Sequence, residues 1–332
     1  MASQLRIIDF GEVSGLRSQT LWHALAYGVS EDSPPTLSFM QPTEPYVSIG
    51  YHRSPDELDP EVCGARGFPV YRRMVGGGPV YIDRGQLFFQ VIVPAESVEA
   101  RRADAIRRLL EPAVAAFNDV GICATLDGSN EVVVGDRKIC GHAAGQIGKA
   151  VVVVGNVIDS FDHTAAASIV KAPSCEARNE FLAQMRRFVV PTPTDFAAFA
   201  VAARDRYSEA LDLPAVEGDL TSEEGAHLAR LDQLFTDPEW IHGVDRPPQR
   251  WWRAKVKSGV WVAQGGWNGT RLTVAIEGDR VRSLRVGSDR GEPLWALNGH
   301  AVLQIEDALR ILQQRDSGLA ALLEEIASRP PA

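Results

Sequence analysis

Apolar residues gather in many short runs along this chain, and helical spacing separates only some of them. The run LRIIDF (5–10) predicts a strand. Leu21, Trp22 and Leu25 recur at helical spacing within 18–28, with Ser18 placed to cap the start. TLSFM (36–40) and PYVSIG (45–50) predict two strands around Pro42. A polar helix is expected over 55–67, ending at Gly67. The strand FPVYRR (68–73) then runs into Gly76-Gly77-Gly78, and strands are expected at 79–83 and 86–93. The longest helical pattern spans 97–119, with Ile106, Leu109, Leu110, Val114 and Phe117 on one face. Pro112 lies inside it and predicts a kink or a break, because it lacks an N–H and its ring crowds the preceding turn.

Further on, EVVVG (131–135) and AVVVVGNVI (150–158) read as strands flanking a hairpin, GDRKICGHAAGQ. Helices are expected at 195–211 and 223–235, with an acidic linker at 212–226. Strands follow at 251–263, 270–277 and 280–287, the last pair turned by GDR at 278–280. A helix at 301–314 and a short C-terminal helix close the chain. Many strands adjoin one another with few helices between them. That order predicts an α+β fold with a mixed or largely antiparallel sheet, not a doubly wound βαβ fold. The expected organisation is a large domain at 1–215, a connecting linker and helix at 216–245, and a small α+β domain at 246–332.

Composition changes this picture little. The chain has 332 residues, 45% of them hydrophobic and 23% charged, enough apolar side chains for two cores. A net charge of -9 argues against nucleic acid or an anionic membrane as partner. Cys63, Cys123, Cys140 and Cys175 form neither a disulfide framework nor a metal-site spacing. The histidines at 23, 52, 142, 163, 242 and 300 show no metal spacing and read as surface or structural residues, with His142 alone near candidate chemistry. Neither a signal peptide nor a membrane span is expected, so the reading is cytoplasmic.

Two segments carry candidate chemistry. In RRMVGGGPVY (72–81), Arg72 and Arg73 precede Gly76, Gly77 and Gly78. Glycine permits close backbone approach, and N–H groups with guanidinium groups suit a phosphate or a carboxylate. The glycines alone fit equally a β-turn with solvated arginines. In GDRKICGHAA (135–144), Lys138 lies in a hairpin between hydrophobic strands, suited to an anion or simply exposed to solvent.

Together these segments resemble the lipoate-protein ligase family. The matching run comprises TLSFMQPTEPYVSIGYHR (36–53), RGFPVYRRMVGGGPVYIDRGQLFFQVIVP (66–94), SNEVVVGDRKICGHAAGQ (129–146), VVVVGNVIDSFD (151–162) and IVKAPSCEARNEFLAQMRRFVVPT (169–192). DPEWIHG (237–243) and IEGDRVRSLRVGSD (276–289) resemble the small accessory domain of these ligases. The resemblance implies ATP-dependent activation of lipoate as lipoyl-adenylate, with Mg²⁺, and transfer to a lysine of an acceptor. It implies Lys138 as the essential catalytic lysine. Arg72, Arg73, Gly76, Gly77, Gly78, Tyr81, Asn130, Glu131 and Gly141 are implied at substrate or nucleotide. The acyl chain needs an apolar tunnel, with Phe88, Phe89 or the early strands as candidates for its wall, set against plain core packing as the favoured role of any single aromatic.

The implied partner is a lipoyl domain of a 2-oxoacid dehydrogenase E2, the glycine cleavage H protein, or a dedicated lipoate-binding protein of a sulfur pathway. The ligase is expected as a monomer. Departures from the family pattern include Val75, Ile82 and Val154, where polar residues are usual. Two rivals stay open: an octanoyl or lipoyl transferase working through a cysteine thioester, and a relic that only binds lipoylated proteins. A biotin ligase is disfavoured by the missing GRGRxxR loop.

Overall fold

The computed structural model describes residues 3–98, 102–243, 250–297 and 302–329. In chain order it begins with β1 (Leu5–Val13), α1 (Gly15–Tyr27), β2 (Thr36–Pro42), β3 (Tyr46–Ile49), α2 (Pro60–Ala65), β4 (Val70–Arg72), β5 (Val80–Ile82) and β6 (Gln86–Pro94). Next come α3 (Arg102–Asp119), β7 (Thr125–Leu126), β8 (Val132–Val134), β9 (Arg137–Cys140), β10 (His142–Ile147) and β11 (Ala150–Ile158). Then follow α4 (His163–Ser168), α5 (Cys175–Phe188), α6 (Phe196–Leu211), β12 (Ala215–Glu217), α7 (Ser222–Thr236) and α8 (Pro238–His242). The last part holds β13 (Trp252–Lys257), β14 (Val260–Trp267), β15 (Thr270–Glu277), β16 (Arg280–Ser288), β17 (Pro293–Leu297), β18 (Leu303–Gln304), α9 (Ile305–Arg315) and α10 (Ser317–Ala327).

The chain divides into two compact units, residues 1–162 with 190–245, and residues 163–189 with 246–332. In the first unit a mixed six-stranded sheet runs β10-β11-β6-β2-β1-β12. β1 pairs with β2 and β12 in parallel, and the other neighbours are antiparallel. This is the expected α+β class. Alternation along each strand feeds two cores. Leu87, Phe89, Val91 and Val93 face one side, where α3 and α6 pack through Leu110, Phe117, Phe199 and Tyr207. Phe88 and Ile92 face the other, where α1 and α7 contribute Leu21, Trp22, Leu25, Leu231 and Phe235. β6 is therefore buried along its whole length. Two three-stranded sheets, β4-β3-β5 and β7-β8-β9, flank the large one.

Several details depart from the sequence reading. α3 is continuous through Pro112, because Leu109, Leu110, Ala113, Ala116 and Phe117 anchor both sides of the missing hydrogen bond in the core. The hairpin at 135–146 is mostly strand, with Lys138 inside β9. The acidic segment at 212–226 contains β12, which completes the large sheet, and the helix after it packs in the first unit. The single strand expected at 251–263 is the hairpin β13–β14.

The second unit has an antiparallel sheet, β13-β14-β15-β16-β17, with β18 beside β16. Its core joins Trp251, Trp261, Val274 and Leu284 to Leu312, Leu323 and Ile326 of α9 and α10. The helix α5 packs on β13, β14 and β15. His300 and the first residue of the helix expected at 301–314 lie outside the described residues.

A glycine loop on a buried guanidinium, and a lysine–glutamate pair

Strand β4 ends at the double arginine, and both guanidinium groups turn inward. Arg73 is 6% exposed. Its Nε and Nη2 donate to the Gly76 carbonyl at 3.1 and 2.9 Å, and Nη2 also reaches the Gly78 carbonyl at 2.8 Å. Its Nη1 donates to the Ser48 carbonyl and hydroxyl at 2.9 and 3.2 Å. Among the described residues no carboxylate pairs with Arg73. Its charge therefore rests on carbonyl and hydroxyl dipoles, and burial lowers its pKa to about 10.

This arrangement shapes the loop above it. In a trans peptide the C=O and the following N–H point opposite ways. Turning the Gly76 carbonyl onto Arg73 thus turns the Gly77 N–H outward. The N–H groups of Gly76, Gly77 and Gly78 find no acceptor among the described residues. Gly77 has φ +102°, in the region that favours glycine. Gly50 is required for a different reason: a Cβ there would lie 2.1 Å from the Gly77 carbonyl oxygen.

Arg72 is 3% exposed and serves a different neighbour. Its Nε donates to the carbonyls of Trp240 and Ile241 at 2.9 and 3.1 Å, and Nη2 to those of Ile241 and His242 at 2.7 and 3.1 Å. Its Nη1 takes the carbonyls of Gly50, Tyr51 and Arg53. In return Trp240 Nε1 donates to the Arg72 carbonyl at 3.0 Å. Arg72 is thus the C-terminal cap of α8, a cation where helix carbonyls lack partners. The geometry brings Arg73 to the glycines and takes the Arg72 side chain to α8.

Lys138 Nζ lies 2.6 Å from Glu131 Oε2, across the β8–β9 hairpin. The side chains are 15% and 7% exposed, so the pair is largely screened from water. Glu131 is held by its own N–H, which donates to Asp127 Oδ1 at 3.0 Å. Asn130 occupies the preceding position with φ +62°, a conformation that asparagine tolerates. Gly141, between β9 and β10, donates its N–H to Asn156 Oδ1 at 2.5 Å and accepts from the Asn156 N–H at 3.0 Å. Asn156 Nδ2 in turn reaches Gln86 Oε1 at 2.6 Å. Beyond Gly141, β10 passes under the glycine loop at Gly145, where a Cβ would meet Val75 Cγ1 at 2.8 Å. Tyr81 packs beside Phe68 and Phe161, with its hydroxyl pKa raised by burial and by Asp83 and Asp162.

The three apolar departures fall together. Val75, Ile82 and Val154 are buried and share one cluster with Tyr71 and Phe88. The loop therefore borders an apolar face. Phe89 belongs to the opposite core, against Phe199.

Sequence reasoning missed the polar residues behind the loop. His23 Nε2 accepts the Met74 N–H at 3.0 Å, and Nδ1 lies 2.6 Å from the Gln19 carbonyl. Ser18, Gln19, Thr20 and His23, polar residues set among the apolar positions of α1, were the available signal. Burial lowers the His23 pKa to about 3, against the raising effect of its bond to Gln19. The native state therefore keeps His23 neutral where the unfolded chain, near 6.5, binds a proton. This contribution to stability is complete above about pH 6.5 and is lost as pH falls toward 3. Melting curves across that range are expected to show a steeper acid loss for the native protein than for His23→Gln.

A family model described as the lipoyl protein ligase A/B catalytic domain matches residues 16–192, more than half of the chain. Lipoate-protein ligase LplJ of Bacillus subtilis is 29% identical over 41% of either chain, so the match spans about two fifths of that relative. Octanoyltransferase LipM of Symbiobacterium thermophilum is 23% identical over 68% of this chain and 92% of its own. Among solved structures, the bipartite lipoate protein ligase of Thermoplasma acidophilum has a TM-score of 0.66 at 24% identity. That match covers 75% of this chain and 99% of the solved one. A lipoate-protein ligase A bound with ATP has a TM-score of 0.63 at 21% identity, covering 73% and 99%.

Proposed function

The chain belongs to the lipoyl protein ligase A/B catalytic domain family, and from that premise we propose that it is an ATP-dependent lipoate-protein ligase. The observation that carries this reading is the Arg73 guanidinium, which meets no carboxylate among the described residues, beneath a loop whose Gly76, Gly77 and Gly78 amides face no acceptor among them. A buried positive charge with outward N–H dipoles above it is a cradle for an anion.

In the first half-reaction the lipoate carboxylate attacks the α-phosphorus of ATP. A C–O–P anhydride forms, and the bond to the departing pyrophosphate breaks. Two anions meet in this step, so cations and oriented donors must offset their repulsion. The loop amides hold the phosphates, and the Lys138 ammonium, aimed by Glu131, neutralises the charge on the reacting oxygens. Mg²⁺ bound with the nucleotide would supply further positive charge against its phosphates. In the second half-reaction the acceptor's lysine amine attacks the acyl carbon. An amide forms, AMP leaves, and the amine gives up its proton. The apolar face of Val75, Ile82, Phe88 and Val154 suits the acyl chain. Arg72 supports the site by fixing α8, and Gly141 by keeping β9 and β10 in register with Asn156. The T. acidophilum ligase is described with its E2 lipoyl domain, which supports a folded lipoyl or lipoate-binding domain as acceptor.

A second reading draws on the octanoyltransferase relatives. There the acyl group passes from a carrier thioester to a cysteine thiol, then to the acceptor lysine. Cys175 is exposed at the first position of α5, and Cys140 is fully buried with its thiol pushed up to about 12. Cys123 is exposed as well, so Cys175 and Cys123 are the residues open to this route. The test is intact-mass detection of acyl transfer to a lipoyl domain with ATP, Mg²⁺ and lipoate. A ligase gives the lipoyl mass shift only with ATP, and Cys175→Ser keeps at least half the rate. Transfer from octanoyl carrier protein without ATP, abolished by Cys175→Ser or by Cys123→Ser, would replace the ligase reading with the transferase.

A further inference from the structure

We propose that helix α1 is the template that sets the geometry of the glycine loop, with His23 as its positioning residue. The inference rests on the loop being the anion cradle described above. Three consecutive glycines have little conformational preference of their own, so something outside the loop must fix it. Two chains of hydrogen bonds from one turn of α1 do so.

The first runs through His23. The Met74 N–H can only donate and the Gln19 carbonyl can only accept. The ring proton must therefore sit on Nδ1, leaving Nε2 as the acceptor for Met74. The ring cannot turn away, because Trp22 lies 3.4 Å and Phe235 4.8 Å from it, centroid to centroid. This fixes the peptide between Arg73 and Met74, at the entry to the loop.

The second runs through Gln19. Its Nε2 donates to the Tyr46 hydroxyl at 2.8 Å, and its Oε1 accepts from Ser48 Oγ at 3.1 Å. Ser48 Oγ accepts from Arg73 Nη1, and Arg73 holds the carbonyls of Gly76 and Gly78. Tyr46 is anchored in turn, with its hydroxyl 2.7 Å from Ser18 Oγ. Ser18, Gln19, His23, Tyr46 and Ser48 are all at most 3% exposed, so water does not compete for these bonds. One helical turn thus sets the start of the loop through a backbone N–H, and its far side through a guanidinium.

The experiment compares amide hydrogen exchange of ligand-free native, His23→Phe, His23→Gln and Ser48→Ala proteins. Phenylalanine keeps a ring but removes the acceptor; glutamine restores an oxygen that Met74 can reach. His23→Phe is expected to exchange the hydrogen-bonded amides of Arg73 and Met74, within the 72–80 segment, about tenfold faster or more, with α3 unchanged. His23→Gln is expected to stay within about threefold of native, as befits a hydrogen bond largely retained. Ser48→Ala, a smaller change, is expected to speed the same segment and serves where the Phe variant does not fold. Unchanged exchange of 72–80 in Ser48→Ala, or in a folded His23→Phe, overturns the proposal. No substrate is present, so failure of the ligase reading leaves this outcome readable. In the lipoylation assay His23→Phe is expected to raise KM for ATP more than it lowers kcat, and His23→Gln to reverse that rise.

Discussion

Replacing Lys138 by alanine is expected to reduce lipoyl transfer by about a hundredfold or more, the usual cost of losing one oriented donor to a developing charge. The structure adds a second consequence. Glu131 would keep a 7% exposed carboxylate with its cation gone. Breaking such a pair from one side destabilises by up to about 3 kcal/mol, because a desolvated charge is left behind. Activity and melting temperature must therefore be measured together. The double variant Lys138→Met with Glu131→Leu separates the two effects. It is expected to regain much of the stability and none of the transfer. Pyrophosphate release from ATP and lipoate, followed by intact-mass analysis of the acceptor, shows which half-reaction is lost. A Lys138→Ala protein with full transfer rate would remove the lysine from the chemistry.

Replacing Arg72 by methionine is expected to lower the melting temperature by roughly 6–16 °C before any substrate is added. The reasoning follows from what its donors touch. The last carbonyls of α8 and those of Gly50, Tyr51 and Arg53 would lose their partner inside the protein. Leaving one buried and several partly buried acceptors unsatisfied costs on the order of 3–4 kcal/mol, and a folding unit of about 150–250 residues loses about 2–4 °C per kcal/mol. Arg72→Lys is expected to recover little, because one ammonium cannot reproduce the planar fork of donors. An arginine held only for substrate would behave in the opposite way. Its removal would leave the ligand-free protein as stable as before and weaken nucleotide binding alone. Differential scanning calorimetry on both variants decides between the two roles.

The adjacent arginines illustrate what could be read from the chain and what could not. Their position before three glycines was legible as an anion-binding pattern, because glycine and guanidinium groups announce their chemistry locally. The destination of each side chain was not. Arg72 and Arg73 point to opposite sides of β4, and the partners of Arg72 lie in a helix distant in sequence. The α+β class was legible from strand adjacency, and the long β6 from its apolar run interrupted only by Gln90. Pro112 misled because local propensity yields to packing on both sides of it. β12 was hidden in acidic, turn-rich sequence, since a short edge strand needs little apolar patterning. His23 was legible only as one of several surface or structural histidines, because nothing local to it announces burial outright. Its tautomer became readable only once Met74 and Gln19 were seen on either side of the ring.

The second unit draws α5 from the middle of the chain and its sheet from the end. During synthesis Phe181, Met185 and Phe188 emerge from the ribosome well before β13, β14 and β15, the strands that cover this helix. At ~5–20 residues per second that helix waits on the order of ten seconds with a greasy flank uncovered. A gene interrupted ahead of β13 would make the wait permanent until the other fragment arrived, so the two products would depend on each other for solubility from the outset.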